Sequence, residues 1–253
     1  MAKSMRERAG ELSLEAGARV LQGLEVVIKR GSLVDTTPFL SPAEFPWVAD
    51  MEAGWKDIRA ELDEVLAYQA DLPNFQDISA DQATITDDDR WKTFFLYGFG
   101  FRSDANCERC PATARLIEAV PGMKTAFFSI LAPGKRIPAH RGPWKGVLRY
   151  HLALMVPEPA ENCGIRVDDQ TAHWEEGKSL VFDDSYEHEA WNETDGTRVV
   201  LFMDVVRPLR FPASAVNSAV IKAVAISPFV TDAKKAHQAW EERFEAGRRG
   251  NGG

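Results

Sequence analysis

The sequence predicts a mainly β protein, an antiparallel barrel or jelly roll with helices before and after it in the chain. Segments rich in aromatic and β-branched residues follow one another at 93–99, 124–131, 146–156, 179–183 and 197–206. Turn-forming pairs separate several of them, namely Pro133-Gly134, Glu176-Gly177 and Asp195-Gly196. No helical pattern interrupts these segments after residue 123. Short strands at such spacing are typical of closed antiparallel sheets.

Helical patterns flank the predicted strands. In residues 46–72 apolar side chains recur every three or four positions, which is the period of an amphipathic helix with one buried face. A short helix is predicted at 111–120, with a proline in its first turn and Pro121-Gly122 after it. Two closing helices are predicted at 213–224 and 231–246.

These patterns divide the chain into three parts. We expect a helical extension at 1–87 that packs on the core, a β core at 88–212, and C-terminal helices with a flexible tail at 213–253.

Composition excludes several classes of function. The chain has 253 residues and a formal net charge of −8, which argues against nucleic acid as a partner, because phosphate binding needs clustered Lys and Arg. No run reaches the roughly 18 apolar residues of a membrane span, so no integral membrane segment is predicted. The charged start MAKSMRERAGELSLEAG lacks the apolar core of a signal peptide, and we expect a cytoplasmic protein.

Two of the five histidines lie in suggestive surroundings. His140 lies in PGKRIPAHRGPW, and His188 lies in FDDSYEHEAWNE. A lone histidine in a β protein is more often a hydrogen-bonded structural residue than a metal ligand. Spacing alone therefore leaves a metal-binding pair as the minority interpretation.

The segment GVLRYHLALMV places two basic residues on one face of a strand. Arg149 and His151 alternate with Leu148, Tyr150 and Leu152, which share the opposite, apolar face. On a solvent face the two basic residues would be ordinary surface groups. Inside a barrel they would need partners, because buried charge without a partner is costly, and an anionic ligand would supply one.

Arg198 opens a strand that is otherwise apolar until Asp204. This position predicts that Arg198 lies at the mouth of whatever the strand lines. A salt bridge to a nearby acidic residue is the alternative, and by geometry alone it is the favoured one.

Three segments together resemble a known family. FFSILAPGKRIPAHRGPWKGVLRYHLAL, WEEGKSLVFDDSYEHEAWN and RVVLFMDVVRP are similar, in this order, to the aspartyl/asparaginyl β-hydroxylases, and the resemblance covers about residues 91–208. It implies a double-stranded β-helix of the jelly-roll, cupin-like kind. It also implies a dioxygenase that uses Fe(II), 2-oxoglutarate as cosubstrate and O₂, with ascorbate as a supporting reductant.

The resemblance implies that His140 and His188 are the iron ligands and the catalytic centre. Iron oxygenases of this type usually carry an acid two residues after the first histidine, and here that position is Gly142. Some members of the family resemble this chain in lacking the acid, with water in its place, and we expect water beside Gly142. Four acids near His188 could instead fill the third ligand position: Asp183, Asp184, Glu187 and Glu189. We expect them not to bind the metal but to orient the histidine ligands or the bound water.

The resemblance also implies a binding site for the cosubstrate. Arg198 and Ser129 would hold the distal carboxylate of 2-oxoglutarate. Arg149 and His151 would contact the end nearer the metal. A guanidinium suits a carboxylate because it can donate two parallel hydrogen bonds.

Several substrates remain open. The leading hypothesis is hydroxylation of the β-carbon of Asp or Asn in a protein, peptide or free amino acid. A fatty-acyl or small-metabolite hydroxylase is the alternative, since HRxPxxGxLRYHL also resembles bacterial lipid A 2-hydroxylases. Those enzymes tend to carry an acid where Gly142 stands and an apolar N-terminal anchor, whereas residues 1–30 here are charged. A non-catalytic cupin-like binding module is the third hypothesis, and the joint presence of all six candidate residues argues against it.

Overall fold

A computed structural model describes residues 23–79, 83–98 and 100–250. The first 22 residues of the predicted helical extension therefore lie outside the described part. The helices are α1 (residues 23–31), α2 (Val48–Ala53), α3 (Trp55–Leu66), α4 (Phe75–Ile78), α5 (Asp104–Arg109), α6 (Pro111–Glu118), α7 (Ala213–Ala225) and α8 (Pro228–Gly250). The strands are β1 (Phe39–Leu40), β2 (Trp91–Gly98), β3 (Phe101–Arg102), β4 (Met123–Leu131), β5 (Lys135–His140), β6 (Val147–Met155), β7 (Cys163–Val167), β8 (Gln170–His173), β9 (Ser179–Phe182), β10 (His188–Asn192) and β11 (Arg198–Val206).

The strands form two antiparallel sheets. The large sheet has the order β1-β9-β6-β11-β4-β2-β3, and the small sheet has the order β5-β10-β7-β8. From β4 onward the chain crosses repeatedly between the sheets, so that β4, β6, β9 and β11 belong to one and the strands between them to the other. This alternation is the topology of a jelly roll. The predicted double-stranded β-helix with helices at both ends is confirmed.

Helices cover the outer face of the large sheet. Trp47, just before α2, packs edge-on against Tyr150 of β6 with ring centroids 5.0 Å apart. Arg59 of α3 donates a hydrogen bond of 2.6 Å to the carbonyl oxygen of Leu154. The apolar face predicted for the 146–156 strand therefore packs against the helical region.

The helix predicted at 46–72 is interrupted at Gly54. It forms two helices, α2 and α3. A Cβ at position 54 would lie 2.5 Å from the Cδ1 atom of Leu116 in α6. The glycine thus allows close packing of α6 against this corner. The short helix α6 was predicted at 111–120 and is confirmed.

The small sheet is the part that the strand prediction missed. Its strands are four to six residues long, and polar residues interrupt their apolar pattern. The last helix is longer than the predicted 231–246, since α8 begins at Pro228 and continues to Gly250. The expected flexible tail stays a prediction, and residues 251–253 lie outside the described residues.

Among the described residues, no single helix is long and apolar enough to cross a membrane. The bent pair Ala213–Ala225 and Val230–Phe244 meets the length and composition criteria only when its two helices are taken together.

Candidate active site

His140 and His188 face each other across two strands of the small sheet. His140 ends β5, His188 begins β10, and the two are directly paired, with ring centroids 4.1 Å apart. The Nδ1 atom of His140 lies 2.8 Å from the carbonyl oxygen of Pro138, and that of His188 lies 3.0 Å from the carbonyl oxygen of Tyr186. Because a carbonyl oxygen only accepts, each Nδ1 carries the proton and each Nε2 keeps a free lone pair.

Burial keeps both imidazoles neutral. It lowers the pKa of His188 to about 3, with a further contribution from the Arg149 charge, and it lowers the pKa of His140 below its usual value. The Nε2 atom of His188 is buried and has no hydrogen-bond partner among the described residues. Neutral imidazole with a free Nε2 is the form that binds metal ions.

The other predicted residues share the inner face of the large sheet. Alternate residues of β11 lie on one face of the strand. In the neighbouring strands, Val200 lies opposite Ser129, Phe202 opposite His151 and Asp204 opposite Arg149. Arg198 lies on the same face by this alternation. The prediction that Arg149 and His151 face the barrel interior is confirmed.

Arg198 is buried and has no counter-ion among the described residues. Only 2% of it is exposed, and its Nε and Nη1 atoms lack hydrogen-bond partners. Its guanidinium carbon lies 4.5 Å from the ring centroid of Trp174. Burial lowers the pKa of Arg198 to about 10, so the group remains a cation at pH 7. Arg198 is thus buried where the sequence predicted a position at a mouth, and it forms no salt bridge with a described residue.

Ser129 and His151 also present polar atoms to this interior. The Oγ atom of Ser129 accepts a hydrogen bond of 3.0 Å from the indole of Trp91, which leaves its hydroxyl proton available. Both ring nitrogens of His151 are buried and have no hydrogen-bond partner in the described part of the chain. Burial, together with the nearby Arg198 and Arg149 charges, lowers the pKa of His151 well below its usual value.

Aromatic contacts connect the histidine pair to Arg198. The ring of Phe182 lies 6.0 Å from His188 and 5.0 Å from His151. His151 in turn lies 6.0 Å from Trp174, which covers the guanidinium of Arg198. The two groups of predicted residues thus line one continuous interior.

Arg149 already has two acidic partners. Its Nη2 atom lies 2.9 Å from Asp184, and its Nε atom lies 3.3 Å from Asp204. Its guanidinium also stacks on Phe202 at 4.5 Å. The sequence could have predicted the contact with Asp204, because strand alternation puts Asp204 on the same face as Arg198. Nothing in the sequence indicates the contact with Asp184.

Gly142 lies in the loop after β5, because the strand ends at His140. Its backbone nitrogen donates a hydrogen bond of 2.7 Å to the carbonyl oxygen of Asp184. A Cβ at position 142 would lie 2.1 Å from Oδ2 of Asp184. Burial raises the pKa of Asp184 to about 6, against the opposing effect of Arg149. Within the described ranges, no three His, Cys, Asp or Glu side chains form a group that could hold a metal ion.

Buried ion pairs hold the loop that carries Asp184. Asp183 accepts hydrogen bonds from Lys145 at 2.6 Å and from Arg207 at 2.5 Å. The hydroxyl of Tyr186 donates to the carbonyl oxygen of Thr36 at 2.7 Å. The loop between β9 and β10 is therefore fixed on both sides of Asp184.

Comparison with known proteins shows which family the chain belongs to. The family model described as aspartyl/asparaginyl beta-hydroxylase matches residues 52–208, which is more than half of the chain. The chain belongs to this family. It is therefore a member of a hydroxylase family, as the resemblance implied.

Two relatives show the range of this hydroxylase family. An ornithine lipid ester-linked acyl 2-hydroxylase of Rhizobium tropici is 54% identical over 209 residues, covering 83% of this chain and 74% of the relative. The human aspartyl/asparaginyl beta-hydroxylase is 34% identical over 179 residues, covering 68% of this chain and 23% of that protein. The chain thus spans about a quarter of the human relative. A solved Pseudomonas putida prolyl-4-hydroxylase aligns with a TM-score of 0.41 and 18% identity, covering 60% of this chain and 87% of that one.

Proposed function

We propose that this protein is an Fe(II)- and 2-oxoglutarate-dependent dioxygenase that hydroxylates an unactivated carbon, releasing succinate and CO₂. The observation that carries the proposal is Arg198, a buried cation without a counter-ion in the described structure. Such a group is costly unless an anion joins it. The dicarboxylate 2-oxoglutarate supplies that anion in the same interior as the histidine pair.

The histidine pair fits Fe(II). His140 and His188 would hold the ion through Nε2, since backbone carbonyls fix both Nδ1 atoms in the donor role. Asp184 lies beside this pair, next to Gly142, and Arg149 holds its carboxylate. We expect Asp184 not to bind the metal itself but to orient a water molecule bound there.

The large sheet fits the cosubstrate. Arg198 would donate to the distal carboxylate, and the Ser129 hydroxyl, whose oxygen already accepts from Trp91, would donate its proton there. His151 would contact the end nearer the metal. Arg149 reaches that region with its guanidinium engaged by two carboxylates, so its main task is to hold Asp184 in place.

The bound iron and 2-oxoglutarate would together supply the oxidising chemistry. The chain itself binds and orients them and excludes water. Phe182, Phe202 and Trp174 surround His151 and are each buried or nearly so. This apolar lining strengthens the charge interaction of Arg198 with an anion, because little water competes for it.

For the substrate, we propose the 2-position of an ester-linked acyl chain of an amino-acid lipid. The R. tropici relative bears an ornithine lipid acyl hydroxylase name, and the similarity to it extends over 83% of this chain. The β-carbon of Asp or Asn, our leading hypothesis from the sequence, is the second candidate. The family model and the human relative favour it.

Product mass separates the two candidates. The iron-loaded protein, with 2-oxoglutarate and ascorbate, is incubated in air with ornithine lipid in detergent or with Asp- and Asn-containing peptides. We expect a gain of one oxygen on the ester-linked chain and none on the peptides. Hydroxylated peptide with unchanged lipid would overturn the lipid substrate and favour the second candidate.

A further inference from the structure

One buried tryptophan differs from the other buried tryptophans in its hydrogen bonding. Three of them donate their indole N–H to a protein oxygen at 2.6–3.0 Å: Trp91, Trp144 and Trp240. Trp174 is 3% exposed, and its Nε1 atom has no hydrogen-bond partner among the described residues. A buried indole N–H usually finds a partner, because leaving it unpaired costs free energy. The indole of Trp174 is therefore free to donate to a bound ligand.

Trp174 lies at the end of the candidate site that is distant from the histidine pair. It directly follows β8, and its ring covers Arg198, whose guanidinium carbon lies 4.5 Å from the ring centroid. The same ring lies 6.0 Å from the ring of His151. The indole thus occupies one face of the guanidinium, whereas the N–H donors of Arg198 point outward in the plane of that group. A carboxylate that Arg198 binds through these donors would lie beside the indole as well.

A carboxylate can accept one hydrogen bond more than Arg198 and Ser129 supply. Its two oxygens offer about four lone pairs. The guanidinium of Arg198 can donate two parallel hydrogen bonds, and the hydroxyl of Ser129 can donate a third. Thr93 also has a buried hydroxyl without a partner in the described structure, but it lies on β2, one strand further from Arg198 than Ser129. The contact of Trp174 with Arg198 therefore favours the indole as the fourth donor.

We propose that Trp174 donates its indole N–H to the distal carboxylate of 2-oxoglutarate, together with Arg198 and Ser129. This inference rests on the proposed function. The ring face of Trp174 orients the guanidinium, and the ring edge binds the anion. The three residues also select for a dicarboxylate, because a 2-oxo acid that ends in a methyl group leaves their buried donors unpaired.

Ligand binding to the full chain loaded with Zn(II) tests the proposal without turnover, since zinc has no redox chemistry. The two probes are 2-oxoglutarate and 2-oxopentanoate, which carries a methyl group in place of the distal carboxylate. We expect Trp174→Phe to weaken 2-oxoglutarate binding by about ten- to hundredfold, the effect of one hydrogen bond to a charged group. The affinity for 2-oxopentanoate, which is low already in the wild type, should stay the same. Calorimetric titration measures both affinities.

An unchanged affinity of W174F for 2-oxoglutarate would overturn the proposal. Equal weakening of both ligands would also overturn it, because a residue that only supports the shape of the pocket affects the two alike. A wild type that does not bind 2-oxoglutarate would instead overturn the proposed function, so the two failures are distinguishable.

Trp191→Phe is the matched control. Trp191 also packs against an arginine, with the guanidinium carbon of Arg136 5.9 Å from its ring centroid. It is half-buried on β10, where alternation puts it on the face opposite to His188. W191F should therefore bind both ligands like the wild type. A loss of 2-oxoglutarate affinity equal to that of W174F would show that the effect is not specific to Trp174.

The indole protons give a second readout, which needs only the wild type. The chain has seven tryptophans, so its nuclear magnetic resonance spectrum has seven indole N–H signals to follow. We expect one of them to move downfield when 2-oxoglutarate is added to the Zn(II)-loaded protein and to stay in place with 2-oxopentanoate. Trp174→Phe or Trp174→Tyr identifies this signal by its absence. If no indole signal responds to bound 2-oxoglutarate, or if the responding signal persists in both variants, Trp174 does not donate to the carboxylate.

Discussion

Asp184 occupies the space that a side chain on Gly142 would need. A Cβ at position 142 would lie 2.1 Å from Oδ2 and 2.3 Å from Cγ of Asp184. Arg149 holds the carboxylate at 2.9 Å. An acid is therefore present beside the histidine pair, although it comes from another loop than in the usual two-histidine, one-carboxylate site.

Removing this carboxylate should weaken metal binding without abolishing it. We expect Asp184→Ala to lower the affinity for Mn(II) by about 10–100-fold, which is the usual effect of losing a group that orients a ligand. His140→Ala should lose binding altogether. Calorimetric titration measures both, and complete loss of binding in D184A would instead make Asp184 a direct ligand.

Gly142→Ala gives an independent check of the same contact. Its methyl group should push the Asp184 carboxylate from Arg149 and weaken metal binding as D184A does. The double variant G142A/D184A should be no weaker than D184A alone, since residues in contact are not additive. Strictly additive losses would show that the two residues act separately.

Arg198→Ala should weaken 2-oxoglutarate binding by about ten- to hundredfold, because a charge-assisted hydrogen bond is worth about 1.5–3 kcal/mol. Arg166→Ala is the matched control, since Arg166 is a partly exposed arginine of β7 paired with Glu189. Binding of 2-oxoglutarate to the metal-loaded protein is measured by fluorescence or calorimetry. An unchanged affinity in R198A would place the cosubstrate elsewhere.

The buried pairs at Asp183 should matter for stability. Asp183→Asn leaves Lys145 and Arg207 buried without their anion, and we expect a loss of about 3–5 kcal/mol in the free energy of unfolding. Asp232→Asn breaks an exposed pair with Lys235 and should change it by less than about 0.5 kcal/mol. Urea unfolding of the two metal-free variants measures both losses of stability. Equal losses would contradict a stabilising role of the buried pairs at Asp183.

His237 should make the folded state sensitive to acid. It is 2% exposed, packs against Phe95 and Phe101, and burial lowers its pKa although nearby Glu241 opposes this. The unfolded chain therefore binds the proton first, so stability falls as pH drops below about 6.5. His237→Phe should remove up to about 1.4 kcal/mol of that loss per pH unit. If the unfolding free energies of the wild type and His237→Phe depended on pH in the same way, His237 would not be the cause of the acid sensitivity.

The sequence predicted the large sheet better than the small one. The strands around Leu148 and Val200 are long and apolar, because one face meets helices and the other the barrel interior. The small-sheet strands β5 and β10 carry the candidate ligands. Their polar residues interrupt the alternation of apolar and polar residues by which a strand is predicted. Local pattern therefore revealed the scaffold but not the sheet that holds the histidine pair.

The candidate site was predicted mainly through its resemblance to the family. Strand alternation did place Arg149 and His151 correctly, since register preserves a period of two. The burial of Arg198 under Trp174 depends on a loop far away in the chain, which no local pattern reports. The contact of Asp184 with Gly142 likewise arises from two loops that only the tertiary fold brings together.

Consumption of 2-oxoglutarate by the purified protein tests the central claim most directly. With Fe(II), ascorbate and O₂, we expect slow succinate release even without substrate, and its loss in His140→Ala and His188→Ala. Arg166→Ala should release succinate like the wild type. A metal-loaded protein that neither binds 2-oxoglutarate nor releases succinate would contradict the proposed dioxygenase.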